Sequence, residues 1–444
     1  MKTFDEAVEY MYSTIPQTRK TKFPAHLGLL RMKRIMELLG NPQNKLRIIH
    51  IAGTSGKGST ATFVSSLLSA HGKKTGLHVK PHFVDIRERL QINGQMIAKK
   101  SFVAILQSVR DALKHLETAR YGSATYFEIL VAIAYVWFYE ERVDYAVIET
   151  GVGGLFDGTN VVERTDKVCL LTKIGLDHTS VLGKTTKAIA AQKTGIIYAK
   201  NVVFSCDQSP TVQAVFTRAA QKNKASLSFV TNPTSYNTIQ VSPLGTFFRY
   251  MLSDSYVQYA LKTIGYYQAQ NASLALAGVE YVSKRDAWTF SHKTAQNIFA
   301  HTTIPGRFET INYKKKLLIL DSAHNPQKMK AFVQTLSKVY QNKKITYCIA
   351  VKNDKNSKIM LRYCLINAQH IVLTEFAFET MDIPQISSSA NDLYLKISDE
   401  MKSICIKEPN QKKALEKAIA LSSDIVVVTG SMYLLAAIKR LLLH

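Results

Sequence analysis

The run Ile48-Ile49-His50-Ile51-Ala52-Gly53-Thr54-Ser55-Gly56-Lys57-Gly58-Ser59-Thr60 constrains this chain more than any other stretch. An apolar segment of strand character passes through a glycine-rich turn into a helical pattern over 61–71. Glycines at 53, 56 and 58 let the backbone turn tightly, so several N–H groups can point at one anion. Lys57 adds a positive charge, and Ser59 or Thr60 can offer a hydroxyl to Mg²⁺. The pattern suits a nucleoside triphosphate. Its spacing is not the common GxxxxGK[ST], because no glycine stands five before Gly56 and Gly58 separates Lys57 from Ser59.

Strand-like and helix-like segments alternate on either side of this turn. The periodicity predicts helices over 101–118 and 126–141, and strands over 145–148 and 168–174. Such alternation favours an α/β fold, a doubly wound parallel sheet of the P-loop type with helices on both faces. Ligands then gather at the carboxyl ends of the strands. Gly53–Ser59, Glu149 and the 175–178 turn all fall at such ends, so three segments converge on one rim. At 444 residues the chain is long for a single core. A boundary is expected near 302–305, dividing an ATP-binding domain (1–302) from a smaller Rossmann-like α/β domain (303–444). In the latter, strands are expected over 316–320, 344–351, 370–374 and 424–429. Within 201–262 a strand (202–205) and a helix (209–223) precede a less regular mixture of strands and turns.

Lys and Arg number 57 against 33 Asp and Glu, a net +24 that suits anionic ligands. No aromatic–basic RNA-binding box accompanies it, so no nucleic-acid partner is expected. The cysteines Cys169, Cys206, Cys348, Cys364 and Cys405 form no CxxC pair and read as reduced thiols of a cytoplasmic protein. The acidic start, Met1-Lys2-Thr3-Phe4-Asp5-Glu6, has no signal-peptide pattern. The longest apolar run, 129–138, is about half of the ~20 residues a bilayer span needs. It reads as a buried helix, and no membrane association is expected.

Further polar residues stand at expected strand ends. Glu149 sits beside the turn Thr150-Gly151-Val152-Gly153-Gly154, where a carboxylate can ligate Mg²⁺ directly or through water; alone it reads as a cap or surface group. His178 follows a strand, and Lys193 reads as a solvated lysine near a helix C-terminus. Asp321 leads into Ser322-Ala323-His324-Asn325-Pro326, where Pro326 fits the first turn of a helix. Arg307, at the expected junction, can grip phosphate through two hydrogen bonds.

Taken together, these segments resemble the folylpolyglutamate synthase/dihydrofolate synthase family of the Mur ligase superfamily. The likeness runs in order through nearly the whole chain. It begins at Leu38-Leu39-Gly40-Asn41-Pro42-Gln43 and Gly53–Ser59. Glu88-Arg89-Leu90-Gln91-Ile92-Asn93-Gly94 and Thr125-Tyr126-Phe127-Glu128 follow, then 149–160, Gly175-Leu176-Asp177-His178 and Lys193-Thr194-Gly195-Ile196-Ile197. It closes through Gln268-Ala269-Gln270-Asn271-Ala272, Pro305-Gly306-Arg307-Phe308-Glu309, 321–326 and Thr429-Gly430-Ser431.

The resemblance implies roles. Thr54, Ser55, Gly56, Lys57 and Gly58 would hold ATP phosphates, and Ser59, Glu149 and His178 would ligate Mg²⁺. Asn271, Arg307 and Asp321 would contact ATP, and His324 would lie near the phosphates. Lys193 matches a lysine carbamylated in the family, and Lys57, Lys193 and His324 would serve catalysis. Tyr126, Phe127, Glu128, Phe156 and Asp157 fall in the pteridine-binding region. The implied cofactors are ATP and Mg²⁺, with K⁺ as a further candidate. The implied partners are L-glutamate and dihydropteroate or a reduced folate, and the implied state is a monomer. Two positions depart from the family pattern: Lys80 stands where a serine near a second metal is usual, and Leu155 where an arginine is usual.

The expected reaction is ATP-dependent ligation of L-glutamate to a folate carboxylate through an acyl phosphate. A Mur-type ligase acting on a UDP-muramyl peptide is the alternative; the 88–94 and 125–128 segments speak against it. A non-catalytic nucleotide- or nucleic-acid-binding protein is favoured only by the charge.

Overall fold

The structure is a computed structural model that describes residues 1–15, 25–378 and 385–443. Among these residues eight strands form the first sheet. Their order is Gln95–Met96, Leu90–Ile92, Thr75–His78, Tyr145–Glu149, Ile48–Ala52, Val168–Leu171, Val202–Cys206 and Ser226–Val230. The six from Thr75–His78 onward pair in parallel, and the first two add an antiparallel edge. Ile48–Ala52 lies in the interior, buried along its whole length, which is why it reads as an apolar run interrupted only by the buried His50 rather than as an alternating one.

Helices cover both faces. On one side Tyr126–Glu140 packs with Phe4–Ser13, Ala25–Leu38 and Lys99–Leu113. The apolar run at 129–138 lies in this helix and is entirely buried. No helix among the described residues is long and apolar enough to cross a membrane. On the other side Lys57–Ala70 packs against the long helix Tyr266–Arg285 and against His292–His301, with Phe63 edge-on to Phe299 at 5.1 Å. An antiparallel sheet of Tyr236–Ser242, Gly245–Met251 and Tyr256–Leu261 joins the same core.

A six-stranded sheet follows, in the order Glu309–Tyr313, Lys316–Leu320, Ile425–Thr429, Ile345–Ile349, Ala368–Leu373 and Cys405–Lys407. The first pair is antiparallel and the rest parallel.

Some expected bounds differ. The strand placed at 168–174 ends at Leu171: the Thr172 N–H makes the last ladder bond, to the Ala52 carbonyl, and the Lys173 carbonyl beyond it accepts from the glycine turn. The helix placed at 101–118 spans Lys99–Leu113, and the short helix Thr118–Tyr121 follows it.

Candidate active site

The helix after the glycine turn begins at Lys57, earlier than the apolar periodicity indicates, with Gly56 (φ 95°) as its N-cap. The open N–H groups of its first turn and the Lys57 ammonium therefore share one spot. Gly56 has no room for a side chain: a Cβ there would strike the Asn271 amide. The turn is tied to the neighbouring strand, since the Thr54 and Ser55 N–H groups both donate to the Lys173 carbonyl at 3.0 and 3.1 Å. Lys57 Nζ donates to the Gly53 carbonyl at 3.1 Å and lies 4.0 Å from Glu149 Oε1.

Glu149, read in isolation as a cap or surface group, is the last residue of its strand and only 4% exposed. Its other oxygen accepts the Lys80 N–H at 3.1 Å. His178 has a left-handed backbone (φ 49°) and faces the cleft. Although the residue is exposed at the cleft mouth, desolvation by the cleft walls and then the charges of Lys355, Lys80 and Lys57 push its imidazole below the ordinary histidine range, against the pull of Asp177. A neutral imidazole is the form that binds a metal. Among the described residues no three His, Cys, Asp or Glu side chains cluster as a closed metal cage. An open set of one carboxylate, one neutral imidazole and a hydroxyl suits Mg²⁺, which keeps waters and binds mostly through substrate phosphates.

Lys193 corrects its generic reading as a solvated lysine. It ends the helix Thr186–Lys193 and is only 4% exposed, with Nζ 3.5 Å from the Gly153 carbonyl. Burial, then the charges of Lys57 and Lys80, hold its amine well below the ordinary lysine range.

Two cavities meet here. The first is walled by Thr54–Ser59, Asn271, Arg307 and Asp321, with Tyr267 and Ala331. The second is walled by Lys80, His178, Lys193 and His324, with Lys352, Lys355 and Tyr433. Every residue expected to contact ATP lines the first cavity. Asp321 accepts the Phe308 and Ala323 N–H groups, each at 2.9 Å. Burial lifts its carboxyl to about 6 against the pull of Arg307. His324 Nδ1 lies 2.8 Å from the Ser322 carbonyl, which assigns the ring proton to Nδ1.

The residues expected around a pteridine are more dispersed. Neither cavity is lined by Tyr126, Phe127, Glu128, Phe156 or Asp157. Tyr126 stacks on Tyr12 and lies under the Arg89 guanidinium. Glu128 forms a two-pronged ion pair with Arg31, both bonds 2.8 Å, and caps its own helix through the Thr125 N–H. Asp157 accepts the N–H groups of Gly151, Val152 and Thr159, fixing the glycine turn after Glu149. Phe127 underlies the Lys80 ammonium at 6.0 Å, and Phe156 and Leu155 are exposed.

The two sheets are joined across the cleft by contacts the sequence reading passed over. Asp177 accepts from Asn325 Nδ2 at 3.0 Å and from Lys355 Nζ at 2.7 Å, and lies 3.8 Å from His324 Nε2. Gly175 touches Gln327, whose amide would collide with a Cβ at 175. Lys355 was discoverable: it follows a strand of the second sheet, where the strand-end rule already applied. Lys328 also lines both cavities. A lysine in the first turn of a helix opposes the helix dipole, and that local conflict was its signal.

Comparisons with known proteins agree along the chain. The profile for the Mur ligase middle domain matches residues 51–279, and that for the dihydrofolate synthetase C-terminal domain matches 306–441. The chain is 30% identical over 423 residues to a dihydrofolate synthase/folylpolyglutamate synthase of Bacillus subtilis, covering 95% of this chain and 96% of that one. It is 30% identical over 433 residues to a dihydrofolate synthetase of Saccharomyces cerevisiae, covering 94% and 97%. Among solved structures, a Mycobacterium tuberculosis folylpolyglutamate synthase complexed with ADP superposes with a TM-score of 0.87 at 26% identity, over 99% of this chain and 98% of that one. An FPGS-AMPPCP-folate complex does so with a TM-score of 0.83 at 27% identity over the whole of both chains.

Proposed function

The chain belongs to the dihydrofolate synthase/folylpolyglutamate synthase family of Mur ligases, and from that premise we propose that it joins L-glutamate to both dihydropteroate and the γ-carboxylate of tetrahydrofolate polyglutamates. It is an ATP-dependent ligase that forms a carbon–nitrogen bond. The observation that carries the finer reading is the pair of cavities sharing walls at the glycine turn. A nucleotide in the first presents its γ-phosphate to a carboxylate in the second.

In the first step an oxygen of the acceptor carboxylate forms a bond to the γ-phosphorus, and the bond to the β-bridging oxygen breaks, releasing ADP. The glutamate amine then attacks the acyl carbon; phosphate leaves and the amine gives up its proton. Both steps depend on position and on neutralised charge more than on covalent help from the protein. The N–H groups around Gly56 and Gly58, the Lys57 ammonium and Arg307 face the phosphates, and Asn271 and Asp321 wall the nucleotide. Ser59, Glu149 and His178 would hold Mg²⁺, which when bound spreads the charge of the transferring phosphoryl group. The Lys193 amine, discouraged from protonation, suits carbamylation, and the resulting anion would be balanced by Lys57 and Lys80. Lys80 adds a positive charge beside the acyl phosphate; Lys80→Ser is expected to lose activity, and a gain would count against this role. The division into 1–302 and 303–444 puts the two walls on separate units, so closure keeps water from the acyl phosphate.

ADP release with MgATP and L-glutamate, in the presence of 7,8-dihydropteroate, tetrahydrofolate or neither, tests the proposal. Turnover with both acceptors supports it. Turnover with one alone reduces it to a single activity, and turnover with neither overturns the folate acceptor.

A further inference from the structure

The neck between the cavities is formed by the residues that line both: Thr54, Lys57, Glu149, Arg307 and Lys328. Of these only Lys328 has had no part so far. It is the third residue of the helix Pro326–Val339, and its N–H donates to the Asn325 cap at 2.9 Å. Its side chain is directed into the neck, where Nζ lies 3.0 Å from His324 Nε2. Because His324 uses its Nδ1 proton on the Ser322 carbonyl, Nε2 meets Lys328 with its lone pair. Lys57, Arg307 and Lys355 repel Lys328 and Asp177 attracts it; Asp321, on which Lys328 in turn exerts a pull, and Glu149, 4.0 Å from Lys57, are the other carboxylates at the neck. The helix dipole also opposes a cation at this point. Asp177 is already shared with Lys355 and Asn325. With Lys328 charged, cations outnumber carboxylates at the neck, and the chemistry just described passes an anion through it.

We propose that Lys328 is a further catalytic residue, whose amine leaves His324 and holds a non-bridging oxygen of the phosphoryl group as that group crosses from nucleotide to acceptor. The assignment rests on the ligase reading of the site. Lys328 forms no bond to carbon or phosphorus; its amine takes one proton from solvent as the anion arrives. Burial, then Lys57, Arg307 and Lys355 against the pull of Asp177, brings the amine down to about 7, so it has a proton to gain in mildly alkaline solution. His324 stays neutral, held down to about 4 by burial and by Lys328 itself.

Titration calorimetry of MgADP and of MgAMPPCP at about pH 8, in two buffers of different ionisation enthalpy, reads both affinity and proton uptake. The full chain is compared with Lys328→Gln and Lys328→Arg. MgAMPPCP is expected to draw more protons into the native protein than MgADP does. Lys328→Arg, always charged, is expected to bind both nucleotides with that difference abolished. Lys328→Gln is expected to weaken MgAMPPCP about tenfold to a hundredfold while leaving MgADP within about twofold. Equal weakening of both nucleotides marks a structural role and overturns the assignment. So does an unchanged MgAMPPCP affinity in Lys328→Gln, or an unchanged proton difference in Lys328→Arg. These arms need no acceptor, so absence of folate turnover by the native chain defeats the proposed function without touching them. Absence of nucleotide binding by the native chain defeats both.

Discussion

Lys193 shows how a residue's surroundings outweigh its sequence context. Helix position alone made it a solvated cation; packing against Gly153 and the pressure of Lys57 and Lys80 make it an amine poised to lose its proton. If that amine is carbamylated, turnover should fall after CO₂ is stripped from protein and buffers and return on adding bicarbonate, as a steady-state assay of ADP release would register. A rate indifferent to CO₂ would remove the carbamate from the mechanism. Glu128 makes the opposite point. Its carboxylate is engaged by Arg31 and by the helix cap, both side chains being 6% exposed. Arg31→Met leaves that charge uncompensated and should destabilise the fold by about 3–5 kcal/mol, lowering the thermal unfolding midpoint. Lys57, Glu149 and Arg307 were legible because they carry local cues, a glycine turn or a strand end, whereas Asn271, inside the helix Tyr266–Arg285, came only from the family resemblance. The pairing of Asp177 was not legible, since its partners Asn325 and Lys355 stand 148 and 178 positions away and no local pattern joins them to it.

At the scale of elements, the strand before the glycine turn was legible because burial along its whole length leaves an apolar run interrupted only by His50, while the start of the helix after the turn was not. The strands of 236–261 were not: Tyr236–Ser242 alternates only partly, and a positive φ at Thr238 interrupts its pattern. That small sheet is pinned to Tyr266–Arg285 through Tyr250, whose hydroxyl lies 3.2 Å from Glu280. Glu280 also lies 3.8 Å from His292. Burial raises the Glu280 carboxyl to about 7 and, with His71, lowers the His292 imidazole, so near neutrality this contact is not an ion pair. Between an ordinary carboxyl and about 7 the folded chain holds a proton that the unfolded chain has lost. The Glu280 contribution is therefore complete at low pH and declines as pH rises through 7. Thermal scans from about pH 5 to pH 8 should show a midpoint decline that Glu280→Gln flattens. A decline of equal slope in the variant would assign it elsewhere.

At the scale of the molecule, Asp177 and the Gly175–Gln327 contact hold one sheet's helices against the other sheet's rim. Removing the carboxylate should loosen that junction. For Asp177→Ala the radius of gyration in small-angle scattering should increase and kcat should fall, while MgADP still binds. An unchanged radius with normal turnover would make the contact incidental. The two α/β layers were legible from the restart of alternation beyond 302–305, but their closeness was not, because it is set by side chains that meet only after both have folded. The nucleotide cavity has Lys57 and Asn271 on one side and Asp321 and Ala331 on the other. The proposed closure would enclose spent ADP between them, and its release would then require the walls to part. Turnover then inherits the friction of a large hinge moving through its solvent, and sucrose or glycerol should slow kcat in proportion to relative viscosity even though neither touches the chemistry.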